Sequence, residues 1–224
     1  MKKKILSIIE TSKSVGWVME PYAKDMLAQY KLPVTNFCWA KTCEDAVKGA
    51  ARVGYPLVAK IVSPDIVHKT EVGGVVVGVR DDDHLKEVFG KFKKLKGFDG
   101  VLLDEMLPPG MELIVGAKSD PQFDIVVLAG IGGTAVEVYK DVAIRMAPVS
   151  ENEAFNALSE LKGSALLKGH RGADAVNLKS VTRLIADFSK AAYDLRHYIE
   201  SIDLNPVIAT SDRAVIADAR IILR

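Results

Sequence analysis

Apolar residues recur at three- and four-residue intervals in Tyr22, Met26, Leu27 and Tyr30, which predicts one buried helix face, opened by Pro21 and stopped by Lys31-Leu32-Pro33. A shorter helical stripe, Ile5-Leu6-Ser7-Ile8-Ile9-Glu10, precedes it. A strand is predicted over residues 34–39. Thr42 with Asp45 three residues on resembles a capping box, for a helix whose apolar face is Ala46, Val47, Ala50 and Ala51 and whose end is Gly54. From Pro56 the run Leu57-Val58-Ala59-Lys60-Ile61-Val62 is apolar at every position but Lys60, the pattern of a strand covered on both faces. Val75, Val77 and Val79 alternate as a further strand, Asp81-Asp82-Asp83 caps a basic helix over residues 84–95, and residues 100–106 return as a strand.

Pro108-Pro109-Gly110 is the sharpest joint in the chain, because two prolines and a glycine neither continue a strand ladder nor start a helix interior. Beyond it, strands at residues 111–117, 124–129 and 135–146 are separated only by turn signals, so a largely antiparallel sheet is predicted. Two helices follow, one capped by Ser150 with Glu153 and one over residues 178–198. Strands at 202–209 and 214–223 close the chain around Ser211-Asp212. The expected organisation is an N-terminal helix in residues 1–18, a mixed helix-and-strand lobe in 19–107 and a sheet-and-helix lobe in 108–224.

The composition adds exclusions. A chain of 224 residues, 49% of them hydrophobic, buries one good core or two modest ones. Thirty Lys and Arg against 29 Asp and Glu give a net charge of +1, so no whole-molecule field draws the chain to nucleic acid or to a membrane surface. The helical stripe after Met1-Lys2-Lys3-Lys4 is too short and too soon charged for a signal peptide or a span, and a cytoplasmic protein is expected. Cys38 and Cys43 lack the second Cys or His pair of a zinc site and make no disulfide framework; they read as reduced thiols.

Candidate chemistry begins at the C-terminal hairpin. With a two-residue turn at Ser211-Asp212, Thr210 faces Arg213, and counting back sets Asn205 opposite Asp218 and Asp203 opposite Arg220, both pairs on one face. Opposed Cβ atoms lie roughly 4.5–5.5 Å apart, close enough for one carboxylate and one amide oxygen to hold the same hard cation. The same register also describes a solvent-facing strand with an Asp–Arg ion pair. Lys60 needs an anion such as a phosphate, or an edge position from which it reaches outward. Gly130-Ile131-Gly132-Gly133 is no dinucleotide loop, because a strand pattern follows where that motif demands a helix; the strand carries Val136, Val138, Val142, Ile144 and Met146 on one face and Glu137, Asp141 and Arg145 on the other. His68, in Ser63-Pro64-Asp65-Ile66-Val67-His68-Lys69-Thr70-Glu71-Val72-Gly73-Gly74, has no nearby metal-ligand pair and no nucleophile elbow to serve. It reads either as an ordinary surface histidine or as a mobile nucleophile that accepts and releases a phosphoryl group.

Five blocks in order resemble the ATP-grasp β subunit, or β part, of ADP-forming acetyl-CoA (acyl-CoA) synthetases, relatives of succinyl-CoA synthetase. They are "GYPLVAKIVSPDIVHKTEVGGVVVGV", "LLDEMLPPGMELIVGAKSDPQF", "GIGGTAVEVYKDVAIRMAP", "LLKGHRG" and "IDLNPVI", and the likeness runs from about Met19 onward. The resemblance implies an α+β class, a two-lobed ATP-grasp fold with nucleotide clamped between the lobes. It implies that Lys60 contacts nucleotide phosphate, that Glu105-Met106-Leu107 meets adenine through backbone groups, that Glu112 holds the ribose hydroxyls, and that Asn205 and Asp218 ligate Mg2+. His68 matches the histidine that takes a phosphoryl group from an α-subunit phosphohistidine and passes it to ADP. With no CoA-binding or acid–CoA ligase domain in the chain, an α subunit is implied as partner, in an α2β2 heterotetramer. Two other readings stay open: an ATP-grasp carboxylate–amine ligase working without a relay histidine, and a nucleotide-binding module without catalysis.

Overall fold

The computed structural model describes residues 3–133, 141–169 and 174–224. The chain divides into two compact units, one of Met1–Val18, Tyr22–Val34 and Pro108–Arg224, the other of Met19–Pro21 and Thr35–Leu107. Residues 22–34, which the sequence groups with the first lobe, fold with the second half of the chain.

The smaller unit is a four-stranded antiparallel sheet in the order β2 (Phe37–Ala40), β5 (Val101–Glu105), β3 (Leu57–Ile61), β4 (Val75–Val79), covered by helices α3 (Cys43–Val53) and α4 (Asp82–Phe92). Thr42 caps α3 as predicted, its hydroxyl accepting from the Asp45 N–H at 3.1 Å. The buried face of α3 is Ala46, Gly49 and Ala50, with Ala51 outside. Gly49 is there because a Cβ would sit 2.6 Å from the Cys38 Sγ. The three alternating valines of β4 do not share a buried face: Val79 is buried and Val77 is 65% exposed. Leu57 pairs with Val79 and Val58 with Val77, so Gly78 is the extra residue of a bulge, at φ +78°, and the bulge inverts the side-chain phase. Asp81 caps α4 by accepting from the His84 N–H at 2.8 Å, and the helix starts two residues before the predicted one.

The larger unit is built on an antiparallel sheet in the order β1 (Trp17–Val18), β11 (Ala219–Leu223), β9 (Ile199–Ala209), β6 (Met111–Asp120), β7 (Asp124–Ile131), β8 (Val142–Met146), with β10 (Ala214–Ile216) also on β9. Its helices are α1 (Lys3–Ser12), α2 (Glu20–Gln29) from Tyr22 onward, α5 (Glu151–Ser159), α6 (Ser164–Leu167) and α7 (Leu178–Asp194); Glu20 and Pro21, at the head of α2, belong to the smaller unit. α7 buries Val181, Leu184, Ile185 and Phe188 against β6 and β7, each such side chain contributing about 1.5–3 kcal/mol by leaving water. α1 buries Ile5, Ile8 and Ile9 in the same core. β1, unforeseen in sequence, is two residues long, too short for any periodicity to show. Val136, Glu137 and Val138 of the strand predicted at 135–146, and the end of the 166–172 block, lie outside the described residues; β8 accounts for 142–146. Among the described residues no helix is long and apolar enough to cross a membrane.

Ser150 and Glu153 form the capping box read from sequence: the Ser150 hydroxyl accepts from the Glu153 N–H at 3.2 Å, and the Glu153 carboxylate accepts from the Ser150 N–H at 2.7 Å. Ser150→Ala is expected to lower the stability by about 1 kcal/mol, seen as a lower urea midpoint at unchanged slope.

Candidate functional site

At the C-terminal hairpin, Thr210 N–H donates to the Arg213 carbonyl at 2.9 Å. The ladder then runs Ala209–Ala214, Ile208–Val215 and Val207–Ile216, and resumes at Leu204–Ala219 and Asp203–Arg220, the register counted from sequence. Between these stretches it breaks. Ala217 donates to the Pro206 carbonyl at 3.0 Å, but Pro206 has no N–H to return, so the single strand predicted over 214–223 is two strands with Ala217 and Asp218 between them. Asn205, exposed, and Asp218, half-buried, stand next to that break.

Arg220 lies 3.4 Å from the Asp203 carboxylate. Burial raises the Asp203 carboxyl above its usual value; Arg220 opposes the rise and Asp218 adds to it. Asp203 and Asp218 are thus close enough for their charges to interact. Among the described residues no group of three or more His, Cys, Asp or Glu side chains forms a ready metal cage.

Glu112, exposed near the start of β6, is paired in register with Ile208. Its carbonyl accepts from the Gly132 N–H at 2.6 Å, and a Cβ on Gly132 would lie 2.9 Å from that carbonyl. The Gly130–Gly133 block therefore lets one backbone lie directly on another. Asp141 and Arg145 are tied into the fold: Asp141 accepts from the Lys162 and Gly163 N–H groups at 2.9 and 2.8 Å, and Arg145 pairs with Glu160.

In the smaller unit Lys60 is 6% exposed, and its anion is supplied from within the chain. Its ammonium lies 2.6 Å from Glu20 Oε1 and 3.0 Å from Asp104 Oδ2. Lys69 Nζ lies 2.8 Å from Glu20 Oε2, and the Thr35 hydroxyl donates to Asp104 Oδ1 at 2.8 Å. Two lysines and two carboxylates thus neutralise one another in a nearly dry place, the arrangement that makes buried charge tolerable. The sequence reading missed Glu20, Asp104 and Lys69. Asp104, in Leu102-Leu103-Asp104-Glu105, carries the same signal that singled out Lys60: a charge inside an apolar strand. Glu105 is half-buried, its carboxylate accepting from the Asn36 N–H at 3.1 Å; Met106 beside it is exposed.

His68 is exposed, on a loop pinned at both ends. On one arm the Ser63 hydroxyl donates to the Lys96 carbonyl at 2.8 Å and accepts from the Asp65 N–H at 3.1 Å, while Ile66 packs on the core. On the other, Lys69 is held by Glu20, and its carbonyl accepts from the Gly74 N–H at 2.7 Å. A Cβ on Gly74 would sit 2.5 Å from Ile61 Cγ2 and 2.9 Å from the Lys69 carbonyl. Gly74→Ala is expected to cost about 1–3 kcal/mol by overpacking, and to raise proteolytic nicking between Asp65 and Gly74.

An ATP-grasp domain family model matches residues 11–223. Over 228 residues the chain is 39% identical to the β subunit of ADP-forming acetate–CoA ligase I from Pyrococcus furiosus, covering 98% of each chain. It is 36% identical to the ADP-forming acetate–CoA ligase I of Archaeoglobus fulgidus, where it covers 99% of this chain and 33% of the longer one. Among solved structures it matches the dinucleotide-forming acetyl-coenzyme A synthetase 1 of Ca. Korarchaeum cryptofilum, in complex with coenzyme A and Mg-AMPPCP and with the phosphohistidine segment pointing towards the nucleotide binding site. That match has a TM-score of 0.87 at 35% identity, over 98% of this chain and 100% of that one.

Proposed function

The chain belongs to the ATP-grasp family, among the β subunits of ADP-forming acetate–CoA ligases, and from that membership we propose that it hands a phosphoryl group to ADP through His68. The overall reaction is acyl-CoA, phosphate and ADP going to free acid, CoA and ATP, in the cytoplasm. It is completed with an α subunit that carries the CoA-binding and ligase domains, in an α2β2 assembly. The chain's full coverage of a β subunit, and of one third of the longer Archaeoglobus enzyme, supports this division of labour.

The observation that carries the proposal is the placement of His68: an exposed imidazole on a short span between two pinned arms. A neutral ring nitrogen attacks the phosphorus of the α-subunit phosphohistidine. One P–N bond forms as the other breaks, and a terminal β-phosphate oxygen of ADP then takes the phosphoryl group, returning His68 to its starting state. Such transfer needs positioning and charge neutralisation above all, and a loop fixed at both ends and exposed at its tip supplies the first. Lys60 turns part of its charge from Glu20 and Asp104 toward nucleotide phosphate. The Met106 and Leu107 backbone, with Glu105, receives adenine, and Glu112 receives the ribose hydroxyls. Asn205 and Asp218 hold Mg2+, which when bound neutralises the nucleotide's phosphate charge.

Thermal unfolding with and without Mg2+ and ADP tests the nucleotide site. A ligand at 100 times its Kd adds about 2.7 kcal/mol to the native state, and the expected result is a magnesium-dependent rise in Tm that Asp218→Ala abolishes. An equal rise in that variant would remove Asp218 from the site.

A further inference from the structure

Glu20 is the first residue of α2 and 4% exposed, and its one carboxylate serves two ammonium groups on different elements: Lys60 from β3 through Oε1 and Lys69 from the His68 loop through Oε2. Lys69 directly follows His68 in the chain. We propose that Glu20 and Lys69 are positioning residues for the phosphoryl relay: the Glu20–Lys69 pair fixes where the His68 imidazole stands, and sharing the carboxylate with Lys60 links that position to the charge state of the phosphate-facing lysine. This inference rests on the relay role proposed above for His68.

The physical case has three parts. First, the tether is a shielded ion pair, because the Lys69 side chain is only 14% exposed and that of Glu20 4%, so water and salt weaken it little. Second, it acts at short range. Between the Ile66 anchor and Lys69 only Val67 and His68 intervene, so a shift of the Lys69 backbone moves the imidazole directly, and a misplacement of about 1 Å lowers a transfer rate by roughly a hundredfold. Third, the carboxylate is shared. As Lys60 turns toward a nucleotide phosphate, the Glu20 charge falls more fully to Lys69 and the loop is held more firmly; as Lys60 turns back, the hold slackens. A nucleophile that accepts from one donor and delivers to another needs such a difference between its loaded and unloaded states.

The test compares Lys69→Met, Lys69→Arg and His68→Ala in the assembled enzyme, following ATP formation against ADP concentration. Lys69→Met is expected to lower kcat by roughly 10–100-fold with the KM for ADP and the Mg-ADP thermal shift unchanged, and Lys69→Arg, which keeps the pair with Glu20, is expected to restore most of the rate. Loss of folding would lower the Tm and the Mg-ADP thermal shift of Lys69→Met together with kcat, whereas the positioning role lowers kcat alone. Full kcat in Lys69→Met, or no rescue by Lys69→Arg, would overturn the positioning role. His68→Ala separates the two levels: full activity there would sink the relay itself, whereas an inactive His68→Ala beside a fully active Lys69→Met would sink only the inference drawn from Glu20 and Lys69.

Discussion

His68→Ala is expected to abolish ATP formation by the assembled enzyme, by a factor on the order of 10⁴ or more, because in the proposed relay it removes the atom on which the phosphoryl group rests between its two transfers. The side chain is exposed, and substitutions at such sites usually change stability by no more than about 0.5 kcal/mol, so folding and the Mg-ADP thermal shift are expected to survive. The combination is diagnostic: nucleotide bound, acid-labile phosphohistidine absent from this chain, and phosphoryl stranded on the partner. Wild-type turnover in this variant would leave the transfer direct from partner to ADP and reduce His68 to a surface residue.

Asp104→Ala is expected to have the largest effect on stability. Its carboxylate meets Lys60 at 3.0 Å and accepts from Thr35 at 2.8 Å, and it is 2% exposed. Removing it leaves a buried ammonium with less counter-charge and a buried hydroxyl without that acceptor. Breaking a buried pair in this way costs about 3–5 kcal/mol, a fall of roughly 6–20 °C in Tm for a protein of this size. The double variant Asp104→Leu with Lys60→Met is expected to be less destabilised than Asp104→Ala, because a well-packed apolar pair strands no charge. A Tm for Asp104→Ala within a degree of wild type would mean that water reaches Lys60 in the folded state.

Much of the candidate site's local geometry was legible along the chain. The separation of Asn205 and Asp218 follows from a two-residue turn and the two-residue period of a strand, and that arithmetic gave the Asp203–Arg220 pair as well. What the count could not show was the ladder break. Pro206 is plain in the sequence, but whether its missing N–H faces a partner carbonyl or open solvent depends on which side of the strand is paired. Lys60 shows the same limit. Its oddity was evident, and a phosphate or an outward reach was the available explanation; the anions found, Glu20 and Asp104, lie 40 and 44 positions away.

The sequence by itself determined most of the elements, though not the two-residue β1, the short α6 or the split of the last strand, together with the caps at Thr42, Asp81 and Ser150, the C-terminal register, the histidine between a Pro-bearing turn and a Gly pair, and the likeness to the ATP-grasp β subunits. These depend on interactions within a few residues, whose geometry a helix or strand period fixes. The tertiary structure alone decided that residues 22–34 fold with the second half of the chain, that Gly78 is a bulge which turns Val77 outward, and that one carboxylate at the head of α2 holds both Lys60 and Lys69. Each of these is a contact between segments far apart in the chain. Such contacts are selected by how buried charge is neutralised and how apolar faces pack once the elements meet, and neither has a period for a sequence to display.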